Sequence, residues 1–222
     1  MAFDELAIKI KRDGSVTIEE CLEGTISFKQ ISPGSLISCI SLSLVRGGVK
    51  SGMLPRNCIS FAVNDDGSRE ACLLHPENKA DVTFLGTEYR NFPLPRIAFG
   101  FRVDSDGRVT SSKVGIIEAE GRPKPCTKMY RWPLSNVTGT GICLGNNVLP
   151  ACTDIRTLES IPYLILSMPN NLDGFSPANN KQGLGMRELL ELLKGKCQSH
   201  YYDKILIPSS MTLGNFISQA PN

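Results

Sequence analysis

Short stretches in which apolar and polar residues alternate dominate the first two thirds of the chain. Leu6 to Lys11 alternates, Arg12-Asp-Gly-Ser15 supplies a turn, and Val16 to Glu20 resumes the pattern, which predicts a β-hairpin. Ile37 to Val45, within the apolar run from Leu36, interleaves serine with isoleucine and leucine and predicts a half-buried strand. Gly47-Gly48 and Pro55 then mark a loop. Cys58 to Val63, the turn Asn64-Asp-Asp-Gly67 and Arg69 to Leu74 predict a second hairpin. Residues 90–130 have the pattern of an antiparallel meander. Ile97 to Val103 is one strand, Asp104-Ser-Asp-Gly107 its turn, and Val109 to Ala119 the next. Gly121-Arg-Pro-Lys-Pro125 breaks the pattern before Thr127 to Arg131 starts a third.

Helical periodicity appears late. Met186 to Lys194 places Leu189, Leu190 and Leu193 on one stripe, with Gly195 as a stop. Met211 to Ser218 carries a weaker helical pattern. Pro169 to Gly185, rich in Asn, Gly and Pro, predicts a long loop. There is no internal repeat and no clear boundary. The expected fold is α+β in a single domain, 1–222, with a β-rich N-terminal portion over 1–75.

Composition narrows the function. At 222 residues and 41% hydrophobic content, the chain can bury a real core. The net charge is +2, from 24 basic and 22 acidic residues, and the basic residues are scattered, so no nucleic-acid footprint is expected. No apolar run reaches the roughly 20 residues of a membrane helix. Met-Ala-Phe-Asp-Glu5 lacks the pattern of a secretory signal, which predicts a cytoplasmic protein without membrane attachment. Eight cysteines, at 21, 39, 58, 72, 126, 143, 152 and 197, form no Cys-x-x-Cys pair. Reduced thiols are therefore expected rather than disulfides, and neither a zinc site nor a bound cofactor is expected. Most of the cysteines other than Cys143 are expected to fill the core.

One cysteine sits differently. In Thr127-Lys-Met-Tyr-Arg-Trp-Pro-Leu-Ser-Asn-Val-Thr-Gly-Thr-Gly-Ile-Cys-Leu-Gly145, Cys143 lies in a polar, glycine-rich turn seven residues after Asn136. Exposure and thiolate character make a cysteine nucleophilic, and glycines leave few side chains to cover it. Asn136 offers an amide that can donate to an oxyanion formed at that sulfur. Acyl chemistry on a thiol follows, with Cys143 and Asn136 as the candidate catalytic residues.

This stretch resembles the active-site segment of ubiquitin-conjugating enzymes, in which a Thr-Lys-Ile-Tyr-like strand leads to His-Pro-Asn and then to Gly-x-Ile-Cys-Leu. Thr127-Lys-Met-Tyr130 stands for the strand, Asn136-Val137 for the end of the second motif, and Gly141-Ile-Cys-Leu144 for the thioester segment. The match departs at Arg131 to Ser135, which has no histidine and a longer linker, and at Gly145, where an acidic residue is usual. Arg122-Pro, Pro133-Leu-Ser-Asn-Val and Gly-Ile-Cys-Leu-Gly145 together resemble the PRTRC system protein B family, bacterial relatives of those enzymes. The resemblance implies a conjugating-enzyme-like core over 90–200, built on an antiparallel meander with flanking helices and preceded by a β extension. It also implies three partners: a ThiF-like activating enzyme, a ubiquitin-like modifier and a protein target. On that reading Cys143 takes the modifier as a thioester and passes it to a nucleophile.

Other arrangements compete. Cys143 with His200 and Asp203 would make a cysteine hydrolase that removes the modifier, and a non-catalytic adaptor would keep only the fold. Asn136 is equally a turn residue bonding its own backbone. Cys152 is read as structural, His75 as a strand-end histidine, and Asp154 as a helix N-cap rather than a group that orients a lysine. Gly139 to Gly145 echoes a dinucleotide-binding loop, but no helical run follows it.

Overall fold

The computed structural model describes residues 5–22, 25–45 and 51–219. Its contacts divide into two compact units, residues 1–50 and 51–222. The expected loop at Gly47-Gly48 lies outside the described residues.

In the first unit, β1 (Glu5–Ile10), β2 (Val16–Leu22) and β3 (Thr25–Ile31) form an antiparallel sheet in that order. Ile10 pairs with Val16, as the turn chemistry predicts, and the Asp13 carboxylate accepts from both the N–H and the hydroxyl of Ser15. The expected strand at Ile37 to Val45 is instead part of helix α1 (Pro33–Val45). Its start is fixed locally. The Ser32 hydroxyl accepts the Ser35 N–H at 3.0 Å, and Pro33 takes the first helical position, where no N–H is needed. The serine alternation that mimics a strand is overridden by this cap.

In the second unit, an eight-stranded, mostly antiparallel sheet carries the core. Its strands are β4 (Cys58–Val63), β5 (Arg69–His75), β8 (Ile97–Val103), β9 (Val109–Ile117), β10 (Lys128–Tyr130), β11 (Val137–Thr138), β12 (Gly141–Ile142) and β13 (Pro208–Thr212). A separate hairpin, β6 (Asn78–Phe84) and β7 (Thr87–Leu94), lies between β5 and β8 in the chain. The main order is β11-β12-β9-β8-β5-β4, with β10 joining β9 to β13. Residues 58–75, expected within an N-terminal portion, are strands of this sheet.

Each sheet face is covered. Phe99, Phe101, Val103 and Val114 pack on one side against Cys152, Ile155, Leu158 and Ile161, which belong to a 3-10 turn (Ile155–Glu159) and to α2 (Ile161–Ser167). On the other side Cys72, Ala98 and Met129 meet Leu213 and Phe216 of α4 (Leu213–Ser218). A third cluster joins the β6–β7 hairpin to Met186, Leu189, Leu190 and Leu193 of α3 (Met186–Leu193), the stripe predicted from spacing. Burial of these apolar faces is the main stabilising term, worth roughly 25 cal/mol per Å² removed from water.

Lys113 crosses the α4 face. Gly100 lies opposite it in the ladder, and a Cβ there would stand 2.5 Å from Lys113 Cε, so only glycine leaves room for the stem. The ammonium donates to the Phe216 and Gln219 carbonyls and sits 4.7 Å from the Phe216 ring centroid. A cation at the C-terminal end of a helix is favoured by the helix dipole. Burial nonetheless pulls its pKa below the ordinary lysine value. Among the described residues no helix is long and apolar enough to cross a membrane.

Candidate active site

The seven-residue spacing from Asn136 to Cys143 is the register of a hairpin. Val137 pairs with Ile142 and Thr138 with Gly141, leaving Gly139-Thr140 as a two-residue turn. Gly139 has φ +63°, which the first position of a tight hairpin turn requires and glycine supplies without strain. The ladder runs one step further, to Asn136 and Cys143, where the Cys143 N–H donates to the Asn136 carbonyl at 2.8 Å. Gly141 pairs with Lys113, and the Val114 N–H donates to the Thr140 carbonyl at 2.8 Å, so the hairpin is stitched to the central sheet. Cys143 is exposed at the hairpin's open end.

Asn136 adopts φ +60°, a left-handed conformation that asparagine tolerates better than most residues. Its amide Nδ2 donates to the Pro169 carbonyl at 3.1 Å, and its N–H donates to the Asp173 carbonyl at 2.7 Å. The stretch 169–174 therefore braces the site. Ser135 donates to the Asn170 Oδ1, and Asn170 itself bridges to Phe84 of β6. Gly174 fits against Val137 so closely that a Cβ would stand 2.5 Å from the Val137 carbonyl oxygen. Sequence reasoning read 169–185 only as a loop. Its Asn-Gly-Pro composition signalled irregular backbone, but not that this backbone accepts the Asn136 amide.

Two spaces adjoin the hairpin. Trp132, Asn136, Val137, Ile142 and Asn170 help line a partly open pocket of about 30 Å³, room for about one water. Outside, Arg131, Trp132, Thr138, Thr140, Asn179 and Ser209 border an open groove of about 400 Å³. Its walls combine hydroxyls, an amide and one guanidinium with the apolar surfaces of Trp132, Val137 and Met211.

The other thiols separate by environment. All eight are free. Cys152 is fully buried, and burial raises its pKa above the ordinary thiol value; Cys72 is pushed up to about 12 for the same reason. The expectation that most remaining cysteines fill the core holds only for these two. Cys39, Cys126 and Cys197 are exposed, and Cys21 and Cys58 are half-buried. The Ser199 hydroxyl and the His200 N–H draw the Cys197 thiol below its ordinary pKa.

His200 flanks a π-helical turn (Tyr201–Ile205), and its Nε2 is buried without a partner. Among the described residues no hydrogen bond joins it to Cys143 or to Asp203. Asp154 caps the 3-10 turn by accepting the Arg156 N–H at 3.0 Å, and its bond to the Arg156 guanidinium holds its carboxyl below the usual range. His75 ends β5, 1% exposed, with its ring edge-on to Phe99 and Tyr163. No three His, Cys, Asp or Glu side chains among the described residues are grouped to hold a metal. Compared with known proteins, the chain matches no family model, no curated protein and no solved structure.

Proposed function

We propose that this chain carries a ubiquitin-like protein as a thioester on Cys143, receives it from a ThiF-like activating enzyme, and passes it to an amine on a protein target. The observation that carries this reading is the exposed Cys143 at the mouth of a braced hairpin, paired in register with Asn136. Support also comes from the order of elements: β8 and β9, a proline-rich bend at Gly121-Arg-Pro-Lys-Pro125, β10, then the cysteine segment, the order the ubiquitin-conjugating resemblance implies.

The chemistry is acyl exchange. The Cys143 thiolate attacks the thioester carbonyl, a new C–S bond forms, and the activating enzyme's sulfur leaves as thiolate. In the second step an amine nitrogen attacks, a C–N bond forms, the Cys143 thiolate departs, and the amine's proton goes to solvent. One Asn136 amide hydrogen is spent on Pro169, which leaves the other to offer the oxyanion of the tetrahedral stage. The open groove beside β11 and the Gly139-Thr140 turn offers room for an extended peptide tail.

The test is a loading assay with activating enzyme, modifier and ATP. A thiol-sensitive adduct should form with the wild type, become a thiol-resistant ester in Cys143→Ser, and vanish in Cys143→Ala. An adduct that persists in Cys143→Ala overturns the proposal.

A further inference from the structure

The acceptor of the Asn136 amide is itself held from behind. Pro169 and Asn170 share one planar peptide unit, whose C=O and N–H point in opposite directions. Its carbonyl accepts from Asn136 Nδ2 at 3.1 Å, and its N–H donates to the Thr83 carbonyl of β6 at 2.7 Å. The Leu85 N–H donates in turn to the Asn170 carbonyl at 3.3 Å. The peptide that receives the amide is thus pinned to the β6–β7 hairpin on both sides of Asn170.

A second rung closes the frame. The Ser135 hydroxyl donates to Asn170 Oδ1 at 2.8 Å, so the residue before Asn136 is tied to the residue after Pro169. Ser135 is 2% exposed, and the Trp132 indole N–H donates to its carbonyl at 3.1 Å. A buried hydroxyl must find an acceptor, whereas alanine in its place would need none, so this pair contributes direction rather than burial. A carboxamide is flat and carries two N–H donors, so fixing one on Pro169 limits where the other can point.

We propose, resting on the thioester reading above, that Ser135 and Asn170 are positioning residues for acyl transfer: their hydrogen bond holds the Asn136 amide so that its second N–H meets the oxyanion formed at Cys143. Both act through Asn136. The step they serve is attack of the amine on the thioester carbonyl. As the C–N bond forms, the carbonyl oxygen takes up negative charge; the C–S bond then breaks, Cys143 leaves as thiolate, and the amine's proton goes to solvent. A donor already held in place costs no reorganisation at that moment. The β6–β7 hairpin thereby enters the reaction without contributing a catalytic group.

Single-turnover discharge of the full chain, beside NMR of the Asn136 side-chain amide, tests this. Ser135→Ala and Asn170→Ala should each slow discharge to an amine about 10- to 100-fold, while loading stays within about threefold of wild type. The two together should be no slower than the slower single, because one bond is lost in all three. Ser135→Thr keeps the hydroxyl, and the pocket of about 30 Å³ that Ser135 borders has space for the added methyl. It should discharge within about threefold of wild type. In an Asn136→Ala background, Ser135→Ala should slow discharge less than about threefold further, because the amide it orients is gone. A role confined to stability would slow both backgrounds alike. In the spectra, the Asn136 Nδ2 protons should lose their exchange protection in both alanine variants and keep it in Ser135→Thr. Discharge of Ser135→Ala at the wild-type rate overturns the proposal, as does an undiminished effect in the Asn136→Ala background. A wild type that never loads refutes the thioester reading instead, and the amide's protection then decides the positioning alone: an amide still protected in Ser135→Ala overturns it. If Ser135→Ala fails to fold, Asn170→Ala, at a half-buried position, carries the same measurements.

Discussion

The Asn136 carbonyl accepts the Cys143 N–H at 2.8 Å, while the side-chain amide of the same asparagine donates to the Pro169 carbonyl at 3.1 Å. One residue thus ties the nucleophile's backbone to a loop 33 positions further along the chain. Two costs attach to replacing it. Asn136→Ala and Asn136→Gly both lose the amide bond, but only alanine must hold φ +60°. The alanine variant should therefore be less stable than the glycine variant by about 1–2 kcal/mol, the cost of a left-handed non-glycine residue. Discharge of a loaded thioester should slow by roughly 10- to 1000-fold in both, if the amide also serves the oxyanion. Denaturant melts beside single-turnover loading and discharge separate the roles. Loss of loading and discharge in equal measure would make Asn136 a loop support alone.

Thiol accessibility gives a second check. Native protein treated briefly with iodoacetamide, then digested for mass spectrometry, should label Cys39, Cys126, Cys143 and Cys197 while Cys72 and Cys152 stay protected. Cys197 should react well at mildly alkaline pH, because its lowered pKa raises the thiolate fraction. Cys197→Ser should nevertheless leave thioester loading unchanged.

His200→Ala distinguishes carrier from hydrolase. No hydrogen bond joins His200 to Cys143 among the described residues, and thiol exchange near neutral pH needs no general base, so loading should stay within about twofold of wild type. An ATP-independent cleavage activity that this variant loses would favour the hydrolase.

The pH dependence of stability should carry the signature of His75. Its Nδ1 faces the Pro76 carbonyl, its Nε2 has no partner, and burial lowers its pKa below 6.5. A depressed histidine pKa means the unfolded chain binds the proton more readily. Stability is therefore full above about pH 6.5 and falls as pH drops through that value toward the folded pKa. Melting temperatures between about pH 7.5 and pH 5 should decline in the wild type and decline less in His75→Phe. The depressed carboxyls of Asp66 and Asp154 act only at lower pH, below the ordinary 3.8.

Removing the Lys113 amine should loosen α4. Lys113→Met keeps the stem over Gly100 but leaves the Phe216 and Gln219 carbonyls without their cation. A destabilisation of about 1–3 kcal/mol is expected. Hydrogen exchange should speed up selectively at 213–218, and uniform exchange across the sheet would argue against the anchor.

The parts of this fold that local chemistry encodes were legible. Arg12-Asp-Gly-Ser15, Asn64-Asp-Asp-Gly67 and Asp104-Ser-Asp-Gly107 announce their hairpins, and the leucine spacing announces α3. The β6–β7 hairpin was not, because its turn is Leu85-Gly86 and Leu85 holds φ +45°, a conformation its side chain gives no sign of. α1 was misread for the opposite reason: the mixing of serine with Ile and Leu was taken as alternation, although Ser35, Ser38 and Ser41 recur at the helical interval of three behind the Ser32-Pro33 start signal. At the site, Cys143 and Asn136 stood out through their glycine context and spacing. The brace at 169–174 did not, since a carbonyl acceptor leaves no mark in residue type.

Lys113 also bears on the order in which the chain acquires its structure during synthesis. Its acceptors lie 103 and 106 residues downstream, in and just after the last turn of α4. Until that turn has left the ribosome, the lysine has none of the partners it keeps in the finished protein, and desolvating an unpaired ammonium is costly. The α4 face of the central sheet is therefore expected to close dry only after the segment carrying Phe216 and Gln219 has been made. The layer over β8 and β9 is expected to consolidate only once α4 has docked and brought the Phe216 and Gln219 carbonyls to Lys113.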